Sequence, residues 1–251
     1  MKWLLLQLAL FCVLVTAVQS PAFCQFNVPK YEFGLGLGML VYQGDLTPRR
    51  LGSFETQKFS LGLTASRLFS PSFSARAQLL FGKLKGDDAR YESPEYRQER
   101  NFRFTSPVTE LSGQLVWNLA AGNYNDKGFS PYLFAGAGIS VIKVRRDWSR
   151  MNGAYFTPET AEIWTGLAAD SAHSLPRVIP VVPLGGGVRY FFSSHWGLNA
   201  EATYRMATTD YLDGFSESAN PEKKDNYMGY SLGLIYRSGK KNTLKCPKVR
   251  Y

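Results

Sequence analysis

The stretch WGLNAEATYRMATTDYL, Trp196 to Leu212, decides the fold. Taken alternately, one set of residues is Trp196, Leu198, Ala200, Ala202, Tyr204 and Met206, all apolar. The other is Asn199, Glu201, Thr203, Arg205 and Ala207, mostly polar. A strand sends successive side chains to opposite faces, so one strand sorts these residues into an apolar and a polar side. A helix groups residues three and four apart and would mix the two sets. The run is long for a strand of a soluble sheet, and aromatics stand near both ends of its apolar face. A strand that crosses an outer membrane has this pattern, with lipid outside and polar residues inside.

The same alternation recurs along the chain. It predicts strands over Tyr31–Gln43, Phe59–Phe69, Phe73–Gly82, Phe102–Leu119, Ile179–Phe192 and Tyr227–Arg237. A strand over Tyr132–Val144 alternates too weakly for its faces to be assigned. Pro180 and Pro183 cannot donate ladder hydrogen bonds, which predicts a bulge or a late strand start there. The connections run long, short, long, short, long, short, long. Short ones include Ser70-Pro71-Ser72 and Ser193-Ser194-His195, and the longest is Arg145 to Pro176. Bacterial outer-membrane barrels pair short periplasmic turns with long outer loops. The expected fold is therefore all-β: an eight-stranded antiparallel transmembrane β-barrel with short periplasmic turns, long extracellular loops and both termini periplasmic. A lipocalin-like barrel would place its apolar residues inside, where this chain has glycine, serine and charge. A β-sandwich does not account for the long–short rhythm.

Composition agrees with a barrel. Of 251 residues, 14% are aromatic, 20% are charged and 23 are glycine, a mix poor in helix formers. Mean hydropathy is −0.19, which suits a barrel because only alternate residues meet lipid. The net charge of +9 comes without any nucleic-acid-binding motif and reads as scattered loop and rim charge, so no nucleic-acid partner is expected. At the N-terminus, Lys2, the apolar run Leu4–Val18, and Ala22 and Cys24 ahead of Gln25 have the pattern of a signal peptide over residues 1–24. A membrane anchor or a lipoprotein modified at Cys24 fits less well, because the run is short and Phe23 is bulky. The expected organisation is signal peptide 1–24, outer-membrane barrel 25–237 and basic periplasmic tail 238–251. Cys246 is then the single mature cysteine, which points to a free thiol or an intermolecular disulfide.

Six charged residues fall on the inward set: Glu32, Arg76, Glu110, Arg189, Glu201 and Arg205. An eight-stranded barrel has room inside only for its own side chains. Charges there are tolerated when paired, so the expectation is a plugged, salt-bridged core rather than a gated channel. Catalysis is not expected. His195 falls in a predicted periplasmic turn. His173 lies close in sequence to Asp170, Ser171 and Ser174, on one loop, which does not make a triad. No metal spacing or phosphate loop appears, so no cofactor and no small-molecule substrate are expected.

Two segments carry a resemblance. Tyr42-Gln43-Gly44-Asp45-Leu46 follows the first strand, and Thr208-Thr209-Asp210-Tyr211-Leu212-Asp213 ends the seventh. With the glycine-rich first strand and the basic tail, they resemble the PorG-like outer-membrane barrels of the type IX secretion system. The resemblance covers nearly the whole mature chain. It implies a non-enzymatic barrel that contacts the periplasmic ring of the PorK lipoprotein and PorN and ties that ring to the outer membrane. A passive structural barrel of the small OmpA-like type is the alternative. Gly44, Asp45, Asp210, Tyr211 and Asp213 are the motif residues, and turn chemistry accounts for Asp210 and Asp213 as well as partner contact does. The tail carries Lys240, Lys241, Lys245, Lys248 and Arg250 with no acidic residue. It cannot fold alone. With Cys246 beside Pro247, it is expected to dock on an acidic periplasmic surface.

Overall fold

A computed structural model describes residues 29–48, 52–157, 160–209, 211–219 and 225–238. The signal segment 1–24, Asp210 and the tail residues Lys240, Lys241, Lys245, Cys246, Lys248 and Arg250 lie outside the described residues.

The described chain is a closed antiparallel barrel. Its strands are β1 (Tyr31–Gln43), β2 (Lys58–Leu68), β3 (Phe73–Asp87), β4 (Arg103–Asn118), β5 (Gly128–Ile142), β6 (Arg145–Asp147), β7 (Val178–Phe191), β8 (Trp196–Ala207) and β9 (Asn226–Ser238). Each of the eight long strands pairs on both sides, β9 with β1 and β3 with β4, so the barrel closes, and only short β6 pairs on one side. Closure pairs the long strands with one another, as a sheet in hydrocarbon requires. Short β6 pairs with Arg103–Thr105 of β4, beyond the Val108–Asn118 span that β5 covers. It therefore continues the fifth strand after a break at Lys143 and Val144, and the barrel has eight staves.

The alternation sets the faces as expected. In β8, Trp196, Leu198, Ala202 and Met206 are exposed, while Glu201, Thr203, Arg205 and Ala207 are buried. The strand stops at Ala207, because the chain then folds over the barrel mouth and Leu212 enters a core there. In β5, Tyr132 and Phe134 face inward and Leu133, Ile139 and Val141 outward. Inward aromatics are what blurred its alternation. The bulge or late start expected at Pro180 and Pro183 does not occur: β7 begins at Val178 and its register with β8 is unbroken from Val181↔Ala207 to Phe191↔Gly197. Only the ladder to β5 lapses, between Ala135↔Leu184 and Gly138↔Val181. The missing proline donor costs a rung and not an inserted residue.

Aromatics ring the end that carries the short turns. Phe129 packs on Tyr190 at 4.8 Å and Trp196 on Tyr236 at 4.9 Å between ring centroids, with Tyr31, Phe73 and Trp117 exposed beside them. Such girdles mark the lipid–water boundary. The short turns are closed by serine: Ser70 Oγ accepts from Phe73 N–H at 2.8 Å, and Ser193 Oγ from Trp196 N–H at 2.9 Å.

The long loops are more ordered than their charge suggests. The segment after β3 forms helix α1 (Tyr96–Arg100), and the longest connection, read as loop alone, holds helix α2 (Thr160–Ala172). Leu40, Tyr42, Leu46, Phe102, Phe104, Leu167, Leu212 and Phe215 pack together as an apolar core at this end. Among the described residues no helix is long and apolar enough to cross a membrane.

Candidate functional site

The inward charges form three tiers. At the short-turn end, Glu32 on β1 accepts from Arg189 on β7 at 2.9 Å and from Arg237 on β9 at 2.7 Å. In the middle, Glu201 on β8 accepts from Arg76 on β3 at 2.6 Å and from the Tyr132 hydroxyl at 2.8 Å. Arg76 Nε also donates to Gln114 Oε1, whose amide donates to Gln78, both at 2.7 Å. Toward the long loops, Glu110 on β4 pairs with Arg205 on β8 at 2.9 Å and accepts from the Tyr227 hydroxyl at 2.7 Å. Each of the six expected interior residues is 7% exposed or less, so the bonds form out of bulk water, where they are strong and where an unpaired member would be costly.

Three members escaped the reading of the sequence. Arg237 stands at the end of β9 on the inward set of Gly229, Ser231 and Gly233, but the strand was expected to finish there. Its guanidinium lies over Phe191, 3.4 Å from the ring centroid, and donates to the Asn125 carbonyl at 2.6 Å. Tyr132 was hidden by the undecided faces of β5, and Tyr227 by its place at a strand start. Parity carried to the strand ends would have found Arg237 and Tyr227.

The motif residues meet at the long-loop end. The Tyr42 hydroxyl lies 2.7 Å from Asp213 Oδ2 and 2.6 Å from Asp225 Oδ1. One phenolic proton cannot serve both contacts, so one carboxyl must carry a proton of its own. Burial pushes the Asp213 carboxyl up to about 8, and Asp45 nearby adds to this against the hydrogen bonds from Tyr42 and the Phe215 amide and the charge of Arg100. Gly44 leaves the space for this knot: a Cβ there would lie 1.9 Å from Asp225 Oδ1 and 2.0 Å from the Tyr42 hydroxyl oxygen. The Asp45 carbonyl accepts from Arg97 at 3.0 Å and Arg100 at 3.3 Å, and both guanidinium groups also bind the buried Asp88 carboxylate. Asp213 is fully buried and caps the Phe215 amide at 2.8 Å, which is turn chemistry and leaves nothing for a partner to touch. Tyr211 stacks on His173 at 4.0 Å between ring centroids.

Asp170 is spoken for as well. Its carboxylate accepts from the amides of Ser216, Glu217 and Ser218, tying α2 to the loop before β9. Among the described residues no group of three or more His, Cys, Asp and Glu is placed to hold a metal ion.

The family model described as "Outer membrane protein beta-barrel domain" matches residues 9–237. Similar solved structures include Ail of Yersinia pestis in complex with sucrose octasulfate, at 13% identity over 84% of this chain and 99% of that one, TM-score 0.45. Neisserial surface protein A has 13% identity over 83% and 97%, TM-score 0.44. OprG from Pseudomonas aeruginosa has 13% identity over 85% and 99%, TM-score 0.47. The outer membrane enzyme PagL is also similar, at 11% identity over 81% and 97%, TM-score 0.39. No curated protein matches the chain.

Proposed function

The chain belongs to the outer membrane protein β-barrel domain family, and from that premise we propose that it is the outer-membrane anchor of a type IX secretion apparatus, contacting the periplasmic PorK and PorN ring through its short-turn end and basic tail. The observation that carries this reading is the knot at Tyr42. The two segments that resemble the PorG-like barrels lie far apart in sequence, yet Tyr42 of one bonds Asp213 of the other at 2.7 Å. The buried contact joins the two motifs into one structural unit, which supports reading them together. The even number of staves starts β1 and ends β9 at the short-turn end, which supports reading that end as the periplasmic one.

The proposed role is non-catalytic. Asp170 is occupied by the loop amides, and His173 is stacked on Tyr211, so neither stands as a base beside a nucleophile. The filled interior supports an anchor over a conduit, and it equally favours the second reading, a passive structural barrel. Affinity purification of the tagged chain from detergent-solubilised membranes separates the two. Co-purifying PorK- and PorN-like proteins are expected. A barrel recovered without them under conditions that keep the ring intact overturns the secretion reading.

A further inference from the structure

One patch of the outer wall carries charge that the barrel itself does not use. Phe81, Leu111, Ile139 and Val141 form an exposed apolar band on β3, β4 and β5. Toward the long loops the outward set of the same wall turns basic. Lys83 stands opposite Pro107 on one side, and on the other the Lys143 amide donates to the Pro107 carbonyl at 3.3 Å. Two residues further up, Lys85 and Arg145 flank Thr105. Four cationic side chains thus surround a floor of two short ones. Lys83, Lys143 and Arg145 are exposed, and among the described residues none of the three has an ion-pair partner.

The backbone fixes this arrangement. Leu84 and Ile142 turn into the core, so Lys83 and Lys143 face out. Arg146 is tied to the Gly214 and Asp170 carbonyls, both at 2.7 Å, which leaves Arg145 on the outside. The nearby carboxylates are committed: Asp87 to Lys85 at 2.7 Å and Asp147 to Arg103 at 2.7 Å. Three positive charges remain after those pairings. Neighbouring strands lie about 4.8 Å apart, and alternate residues about 6.7 Å along a strand, so the patch spans roughly 10 by 7 Å at the backbone. That is broader than one phosphate and accommodates two. Interfacial anchoring alone would spread snorkelling cations around the barrel. The long-loop ends of β1, β8 and β9 instead carry Met39, Met206 and Met228 on the outward set.

We propose that this wall binds a diphosphorylated glycolipid of the outer leaflet, with its phosphates on Lys83, Lys143 and Arg145 and its acyl chains against Phe81, Ile139 and Val141. Lysine and arginine hold phosphate through charge-assisted hydrogen bonds, and the apolar band begins where the cations stop, so the occupant carries acyl chains directly beneath its phosphates. The proposal takes from the fold only that the long loops face outward, and it is independent of the secretion role.

The test uses the full chain purified in detergent, with diphosphoryl lipid A as the probe and native mass spectrometry as the readout. The triple variant Lys83→Gln, Lys143→Gln, Arg145→Gln is expected to weaken binding about 100-fold. All three side chains lie outside the core, and heat-modifiable migration on gels checks that the variant folds. The control Lys30→Gln, Arg67→Gln removes exposed cations at the short-turn end and is expected to change nothing. Dephosphorylated lipid A is expected to bind the wild-type chain as weakly as the parent lipid binds the triple variant. Equal affinity for the dephosphorylated lipid, wild-type affinity in the triple variant, or an equal loss in the control would each overturn the proposal. So would displacement of lipid A by inorganic phosphate at constant ionic strength, which would make the patch a site for free phosphate.

Discussion

Replacing Glu32 by alanine is the sharpest test of the paired interior. Glu32 is 3% exposed and holds Arg189 at 2.9 Å and Arg237 at 2.7 Å. Breaking a buried pair by removing one partner costs about 3–5 kcal/mol, because the other charge stays buried and uncompensated. Here one deletion strands two guanidinium groups. Arg237 keeps the Asn125 carbonyl and the Phe191 ring, and Arg189 keeps the Tyr132 face at 4.3 Å, so the loss should fall at the upper end of that range and not double it. Arg237→Met removes a charge and leaves Glu32 with Arg189. Its cost should be that of one charged hydrogen bond, roughly 1.5–3 kcal/mol. The double variant should be more stable than Glu32→Ala alone, since it removes one of the two stranded charges. Urea unfolding of the barrel in detergent, followed by tryptophan fluorescence, reads all three. If Glu32→Ala costs no more than Arg237→Met, or the double variant falls at the sum of the singles, the ionic account of the interior is wrong.

Other expectations follow from the faces, the loop knot and the tail. Ala202 is exposed to lipid, so Ala202→Arg should cost about 2–4 kcal/mol if it lies near mid-bilayer; the same cost for arginine at both faces of β8 would refute the register. Asp213, held up at about 8 from an ordinary 3.8, favours the closed loop in its protonated form. That contribution is complete below the ordinary value and is lost as pH rises through about 8. The protection factors of residues 211–219, corrected for the intrinsic base-catalysed rate, should therefore fall between pH 7 and 9, and Asp213→Asn should flatten that profile; flat wild-type protection factors would count against the shared proton. For the tail, non-reducing gels should show a mixed-disulfide band that Cys246→Ser removes. Identical bands from both, with secretion intact after tail deletion, would end the docking proposal.

How far the sequence carries can be seen residue by residue. The staves were legible because Trp196, Leu198, Ala202 and Met206 must all avoid the polar interior, and a period of two leaves one register that achieves this. The three glutamates and their first arginines were legible for the same reason. Arg237 was not, since parity weakens where a strand end is uncertain. Tyr132 and Phe134 were not, because aromatics are as apolar inside a packed barrel as outside it, and only the three-dimensional pairing with Glu201 and Arg76 tells the faces apart. Helix α2 was hidden by small and polar residues whose stability comes from docking at Asp170 and not from a strong apolar stripe. The knot of Tyr42, Asp213 and Asp225 depends on segments far apart in the chain, which no local pattern reports.

Site-specific photo-crosslinking in intact cells tests the proposed anchoring role most directly. A photoreactive residue at Lys127, exposed in the short turn between β4 and β5, is expected to form an adduct with a PorK- or PorN-like protein. One at Tyr155, exposed among the long loops, is expected to form none. Adducts from Tyr155 alone, or none from either position with the ring assembled, would contradict the account.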